Sequence, residues 1–216
     1  MAIYSKSNFG SIKGKVGEAV GSKWRGKKVM RSLPDKRKKG NSPLQLITLA
    51  KMHLAIKQLS PIKEVIRLGY RDQKLAGISG YNAAVKAFIN QSIIGEYPDF
   101  DVDYASMQLS KGSLGPLMYI TVTFNDPGFS LAWEVDDIND LNTFSEDRVI
   151  VVLYNQTTNL YKVYNNALRG DGSITINRRL KPGEVTHAWL FCVNQGRILT
   201  SPTVYAGTLE QALIES

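Results

Sequence analysis

From about Asp101 the apolar residues of this chain stop recurring with a period of 3.6 and begin to alternate, and that change of period most constrains the fold. Met118 to Phe124 alternates strictly, and Asn125-Asp126-Pro127-Gly128 turns it. Phe129 to Val135 returns with Trp133, followed by Arg148 to Tyr154, Leu160 to Tyr164, Ser173 to Ile176, Val185 to Val193 and a last strand near Thr203 to Tyr205. Seven or eight short strands over ~100 residues, separated by Pro-Gly, Gly-Asp-Gly and Asn-Gln-Gly, predict an antiparallel sandwich of immunoglobulin or fibronectin-like plan, here without an inter-sheet disulfide. In the penultimate strand Val185, His187, Trp189, Phe191 and Val193 share one face, while Thr186, Ala188, Leu190, Cys192 and Asn194 share the other. Both faces are largely apolar, so this strand is expected to be central or covered by helices.

Residues 42–96 read as helical, giving an α+β chain. Ser42-Pro43 is a cap followed by proline at the first helical position. Leu44, Ile47, Met52, Leu54, Ile56 and Leu59 make an apolar face broad enough for both a neighbour and a core. Ser60-Pro61 repeats the start signal, Ile62, Val65, Ile66 and Leu68 continue, and Gly69 is expected to end the helix. A third helix is predicted over Asn82 to Ile93, with Val85, Phe88 and Ile89 inward and Gly95 as its stop.

Residues 1–41 are rich in glycine and base. Glycine every three or four residues makes a water-exposed helix costly, at ~1 kcal/mol per interior glycine. The segment reads instead as an extended arm with a hairpin of Ala19 to Trp24 and Lys28 to Ser32, turned at Arg25-Gly26-Lys27, and Asp35 to Gly40 as a charged tether. The resulting divisions are 1–41, 42–96 and 101–210.

Charge divides the chain more sharply than its net +8 suggests. Residues 1–40 carry twelve Lys or Arg against Glu18 and Asp35, a formal +10. Residues 41–90 carry +5 and residues 91–216 carry −7. The basic front suits an anionic partner: nucleic acid, anionic lipid or an acidic protein face, including that of another copy.

Candidate chemistry is sparse. The longest apolar runs are about six residues, far short of the ~20 a membrane span needs. The first residues lack the apolar core of a secretory signal, so secretion by a signal peptide is not expected. One cysteine and two histidines leave little for a thiolate cage or a triad, and no residue set calls for a cofactor or metal. Cys192 and His187 point to opposite faces of one strand, which prevents a nucleophile–base pair. Gly21 to Lys28 has P-loop spacing but ends in Lys28 where Ser or Thr would hold magnesium, and Gly14-Lys-Val-Gly17 resembles a backbone-clamping loop without the preceding helix. Glu134, Asp136, Asp137 and Asp140 lack calcium-loop spacing and read as a solvated loop. The candidate contact residues are therefore basic: Lys13, Lys15, Lys23, Trp24, Arg25, Lys27, Lys28, Arg31, Lys36, Arg37, Lys38 and Lys39.

Gly14-Lys-Val-Gly17, Val20-Gly-Ser-Lys-Trp-Arg-Gly26 and Val29-Met-Arg-Ser-Leu-Pro34, continuing through Leu59-Ser-Pro61, Tyr81-Asn-Ala-Ala, Leu109-Ser-Lys-Gly112 and Leu131-Ala-Trp133, resemble a family of uncharacterised Bacteroidota proteins, a domain of unknown function. The resemblance implies an architecture and a bacterial or phage setting, with virion or bacterial cytoplasm as the expected location, and no activity. Together these features predict a non-enzymatic structural or assembly protein, a component of a phage or phage-like particle whose basic arm binds other protein subunits. A cytoplasmic protein contacting nucleic acid non-specifically through the same arm is the alternative; neither reading involves a membrane or a small-molecule substrate.

Overall fold

The structure is a computed structural model that describes residues 2–4, 13–24, 26–35, 40–72, 77–135 and 143–210. The chain divides into two units, Met1–Gln45 and Leu46–Ser216.

The first unit is a four-stranded antiparallel sheet of β1 (Ala2–Tyr4), β2 (Gly14–Val16), β3 (Ala19–Trp24) and β4 (Lys27–Ser32), in the order β1-β4-β3-β2. The expected hairpin is β3–β4; β1 and β2 are additional strands within what reads as an extended arm. The β2–β3 connection is the two-residue loop Gly17-Glu18, since Val16 pairs with Ala19, and Gly17 takes a φ of 57° there. Such tight loops demand positive φ, which glycine adopts without steric cost. The Leu33 N–H donates to the Glu18 carbonyl at 2.8 Å and ties the end of β4 to that turn.

The second unit is layered around one sheet. Helix α1 (Pro43–Leu59), whose first turn contains the boundary between the units, opens with a reciprocal cap. The Ser42 N–H donates to Gln45 Oε1 at 3.1 Å, and the Gln45 N–H donates to Ser42 Oγ at 3.4 Å. Next come α2 (Lys63–Gly69) and α3 (Gly80–Gln91), the latter capped by Ser79, whose Oγ accepts from the Asn82 N–H at 3.2 Å. Helix α3 ends at Gln91, short of the predicted Ile93, because Ile93 begins a hairpin, β5 (Ile93–Glu96) with β6 (Asp99–Val102). Gly95 does not stop a helix: it sits inside β5 at a φ of 81°. Helix α2 ends at Gly69 as expected, without a left-handed turn, and close approach is what excludes a side chain there. A Cβ there would overlap the Leu109 carbonyl and lie 2.7 Å from Ser110 Cβ.

Seven strands follow: β7 (Met118–Asn125), β8 (Gly128–Glu134), β9 (Arg148–Asn155), β10 (Leu160–Leu168), β11 (Ser173–Ile176), β12 (Thr186–Val193) and β13 (Val204–Leu209), with a 3-10 turn at Arg169–Asp171. They form two antiparallel sheets, β10-β9-β12-β13 and β11-β8-β7. One apolar cluster lies between the sheets and includes Phe129, Leu131, Trp133, Val151, Leu190 and Cys192. A second lies between the four-stranded sheet and the helices and includes Leu59, Ile66, Phe88, Val152, Trp189 and Phe191. Strand β12 is buried along its whole length because it belongs to both, which accounts for its two apolar faces.

Candidate functional site

The basic residues lie on a sheet whose register decides which face each one takes. Lys15 pairs with Val20, which pairs with Arg31, so these three form one cross-strand row. Side chains alternate between faces along a strand. Trp24 and Lys27, themselves paired, therefore share a face with Lys15 and Arg31, whereas Lys23 and Lys28 lie directly opposite each other on the other face. The cations thus occupy both faces and do not form a single stripe. Lys13, Lys15, Lys23, Trp24, Lys27 and Arg31 are exposed and Lys28 is half-buried. Arg25 and residues 36–39 lie outside the described residues. Of residues 13–24, 26–35 and 40–45, only Gly21 and Val29 are buried.

His187 is built into the body. It projects from β12 toward the helices, is 7% exposed, and stacks on the Tyr104 ring at 4.2 Å between centroids. Gln156 Oε1, 3.3 Å from Nε2, can only accept, so Nε2 carries the proton. Nδ1 then accepts from the Tyr205 hydroxyl at 2.8 Å, and Tyr205 accepts from Thr208 at 3.1 Å. Burial lowers the His187 pKa, with Glu210 pulling the other way, so the ring is neutral. Tyr104 and Tyr154 lie beside it and Tyr161 stacks on Tyr154; Tyr154 donates to Asn159 and Tyr161 to Gln58. Desolvation raises the pKa values of Tyr104 and Tyr161.

Cys192, on the opposite face of β12, is fully buried, and burial pushes its thiol up to about 12. That environment keeps the sulfur protonated and unreactive. Glu134 is exposed at the end of β8, while Asp136, Asp137 and Asp140 lie outside the described residues. Among the described residues no group of three His, Cys, Asp or Glu is placed to hold a metal ion. No helix among them is long and apolar enough to cross a membrane.

Three further features had no signal in the sequence spacing. Arg169 and Asp147 form a buried ion pair, Nε to Oδ2 at 3.5 Å. A cleft of about 540 Å³ at one end of the four-stranded sheet is lined by residues including Leu68, Glu146, Arg148, Asn165, Gln195 and Arg197. Its charged groups are partly committed: Gln195 donates to Glu146 at 2.8 Å, and Arg148 to the Asn165 carbonyl at 3.4 Å. The β5–β6 hairpin carries an acidic outer face, since Ile94 pairs with Asp101 and Glu96 with Asp99, and all four are exposed.

Helix α1 also leaves apolar surface in water. Leu49, Met52 and Ile56 recur at i, i+3 and i+7 and are 53%, 42% and 43% exposed, while Ala55 and Leu59, three and seven residues after Met52, are buried. The apolar side of the helix is thus covered toward its C-terminal end and open to solvent before it.

A family model described as a family of unknown function, DUF6266, matches residues 11–197. No curated protein matches the chain.

Proposed function

The chain belongs to the DUF6266 family of unknown function, and on that footing we propose that it is a non-enzymatic assembly protein whose basic sheet binds neighbouring subunits. The observation that carries this reading is the first unit itself. Its sheet is charged on both faces and exposes Trp24, and Val29 is the one large apolar side chain buried among its strands β2, β3 and β4. A sheet needs an apolar face against something to be stable alone, so a surface of this kind suits a connector completed by a partner. The formal charge of the unit is +10, against −2 for residues 46–216, which favours a protein partner with acidic patches.

The body is the displayed part. Of its seven strands, the first, second and fifth form one sheet, and the fourth, third, sixth and seventh form the other. This partition supports an immunoglobulin or fibronectin-like reading in which the fourth strand has joined the edge of the second sheet. The setting we propose is a repeated particle, phage or phage-like, in which such arms link copies.

Sedimentation of the full chain at low and high salt tests the reading. Salt-sensitive association with copies or with acidic protein subunits is expected. Duplex DNA affinity that falls steeply with salt, without protein association, would replace it with the nucleic-acid reading. Cations split between two faces disfavour that outcome, because a phosphate backbone is tracked along one.

A further inference from the structure

We propose that the outer face of the β5–β6 hairpin receives the tip of the β3–β4 hairpin of a second copy of this chain. The inference rests on the assembly reading and names its partner surface. Register places Ile94, Glu96, Asp99 and Asp101 on one side of two short paired strands. The other side is anchored in the body: Val102 is buried in the helix-side cluster, Phe100 lies under the Lys51 ammonium at 5.2 Å, and the Asp103 N–H donates to the Ser92 carbonyl at 2.8 Å. The acidic face is therefore held in place and turned to solvent.

Charge arrangement commits the occupant. Glu96 stands directly across from Asp99, next to the Tyr97-Pro98 turn, and Lys23 stands directly across from Lys28, one pair in from the β3–β4 turn. Like charges in directly opposed positions destabilise a strand pair. Each hairpin carries such a pair, the two pairs are of opposite sign, and the two surfaces are therefore complementary in charge. Ile94, about half exposed, adds apolar surface to the acidic face. Because the donor and acceptor surfaces differ, the contact is heterologous and each copy both gives and receives, so it propagates into chains or rings. Two hairpins bury less than the ~1,200 Å² of a stable pairwise complex, so single junctions are weak and salt-sensitive.

The test uses the full chain in sedimentation velocity at about 50 mM and about 500 mM salt, a range over which screening of surface charges changes strongly. Wild type is expected to associate at low salt and dissociate at high salt. K23E/K28E alone and E96K/D99K alone should each lose about tenfold or more in association constant. An equimolar mixture of the two, and the quadruple variant combining them, should recover association, an outcome that misfolded variants cannot produce. If E96K/D99K associates like wild type while K23E/K28E does not, the basic sheet binds elsewhere and this proposal falls while the assembly reading stands. If wild type stays monomeric at both salts, the proposal falls; if it also captures no acidic subunit, so does the assembly reading.

Discussion

Arg169 Nε lies 3.5 Å from Asp147 Oδ2, with the two side chains only 6% and 2% exposed. The pair fastens three loops of the body. The guanidinium donates to the Gly115 carbonyl at 2.6 Å and to the Pro116 carbonyl at 3.3 Å, while Asp147 accepts from the Phe144 N–H at 3.3 Å. The Arg169 carbonyl in turn accepts from Trp133 Nε1 at 2.7 Å, which extends the network to β8. Burial raises the Asp147 pKa despite the opposing pull of the Phe144 N–H and of Arg169, so solvent removal, not attraction, dominates its environment.

Removing one partner leaves the other charged and buried. Arg169→Ala should destabilise the fold by about 3–5 kcal/mol, the range for breaking a buried pair from one side. Asp147→Asn should cost less, since its amide oxygen still accepts from Phe144. Urea unfolding of both variants checks the order; an Arg169→Ala midpoint equal to wild type would show that the network holds nothing.

His187 makes stability depend on pH. Its folded pKa lies below the unfolded value because burial disfavours the charged ring. Above the unfolded pKa of ~6.5 both states are neutral and the contribution is fully present. As pH falls from there toward the folded value, the unfolded chain takes up a proton that the folded chain refuses, and stability declines by up to about 1.4 kcal/mol per pH unit. Thermal melts between pH 7.5 and 5 should show this slope in wild type and a flatter one in His187→Gln. Equal slopes would remove His187 as the source.

Glycines at close approaches should be intolerant where open ones are not. A Cβ on Gly128 would overlap the Ile176 carbonyl and reach 3.0 Å from the Arg178 nitrogen, and one on Gly69 would meet Leu109 and Ser110, whereas Gly40 has nothing within 4 Å. Gly69→Ala and Gly128→Ala should each cost about 1–3 kcal/mol by overpacking, and Gly40→Ala nothing measurable. Calorimetry on the three variants decides it.

Much of this architecture is legible from residue order because it depends on local period. The two apolar faces of 185–193 foretell a strand covered on both sides, and β12 is that strand. Ser42-Pro43 marks the start of α1 because capping is local chemistry. The β5–β6 hairpin is not legible, since Ile93 and Ile94 continue the apolar pattern of α3 and only the pairing of Glu96 with Asp99 reveals the turn between them. Arg169 and Asp147 are 22 positions apart, and nothing in either neighbourhood signals their meeting. The basic arm is conspicuous by composition, yet its cations separate onto two faces through register, which composition does not carry.

Helix α1 offers the last comparison, because its apolar residues differ in what covers them. Leu59 is fully buried in the helix-side cluster, so Leu59→Ala should destabilise the body by about 2–5 kcal/mol through lost burial and the cavity left behind. Leu49, Met52 and Ile56 are each about half exposed, so replacing all three with Gln removes far less burial and should leave the melting temperature within a few degrees. What the triple variant should lose is association: exposed apolar patches of this kind mark interaction surfaces, and binding of a hydrophobic dye should fall with it. A triple variant that melts well below wild type would mean that the stripe is structural, packed within the chain and not reserved for a neighbour.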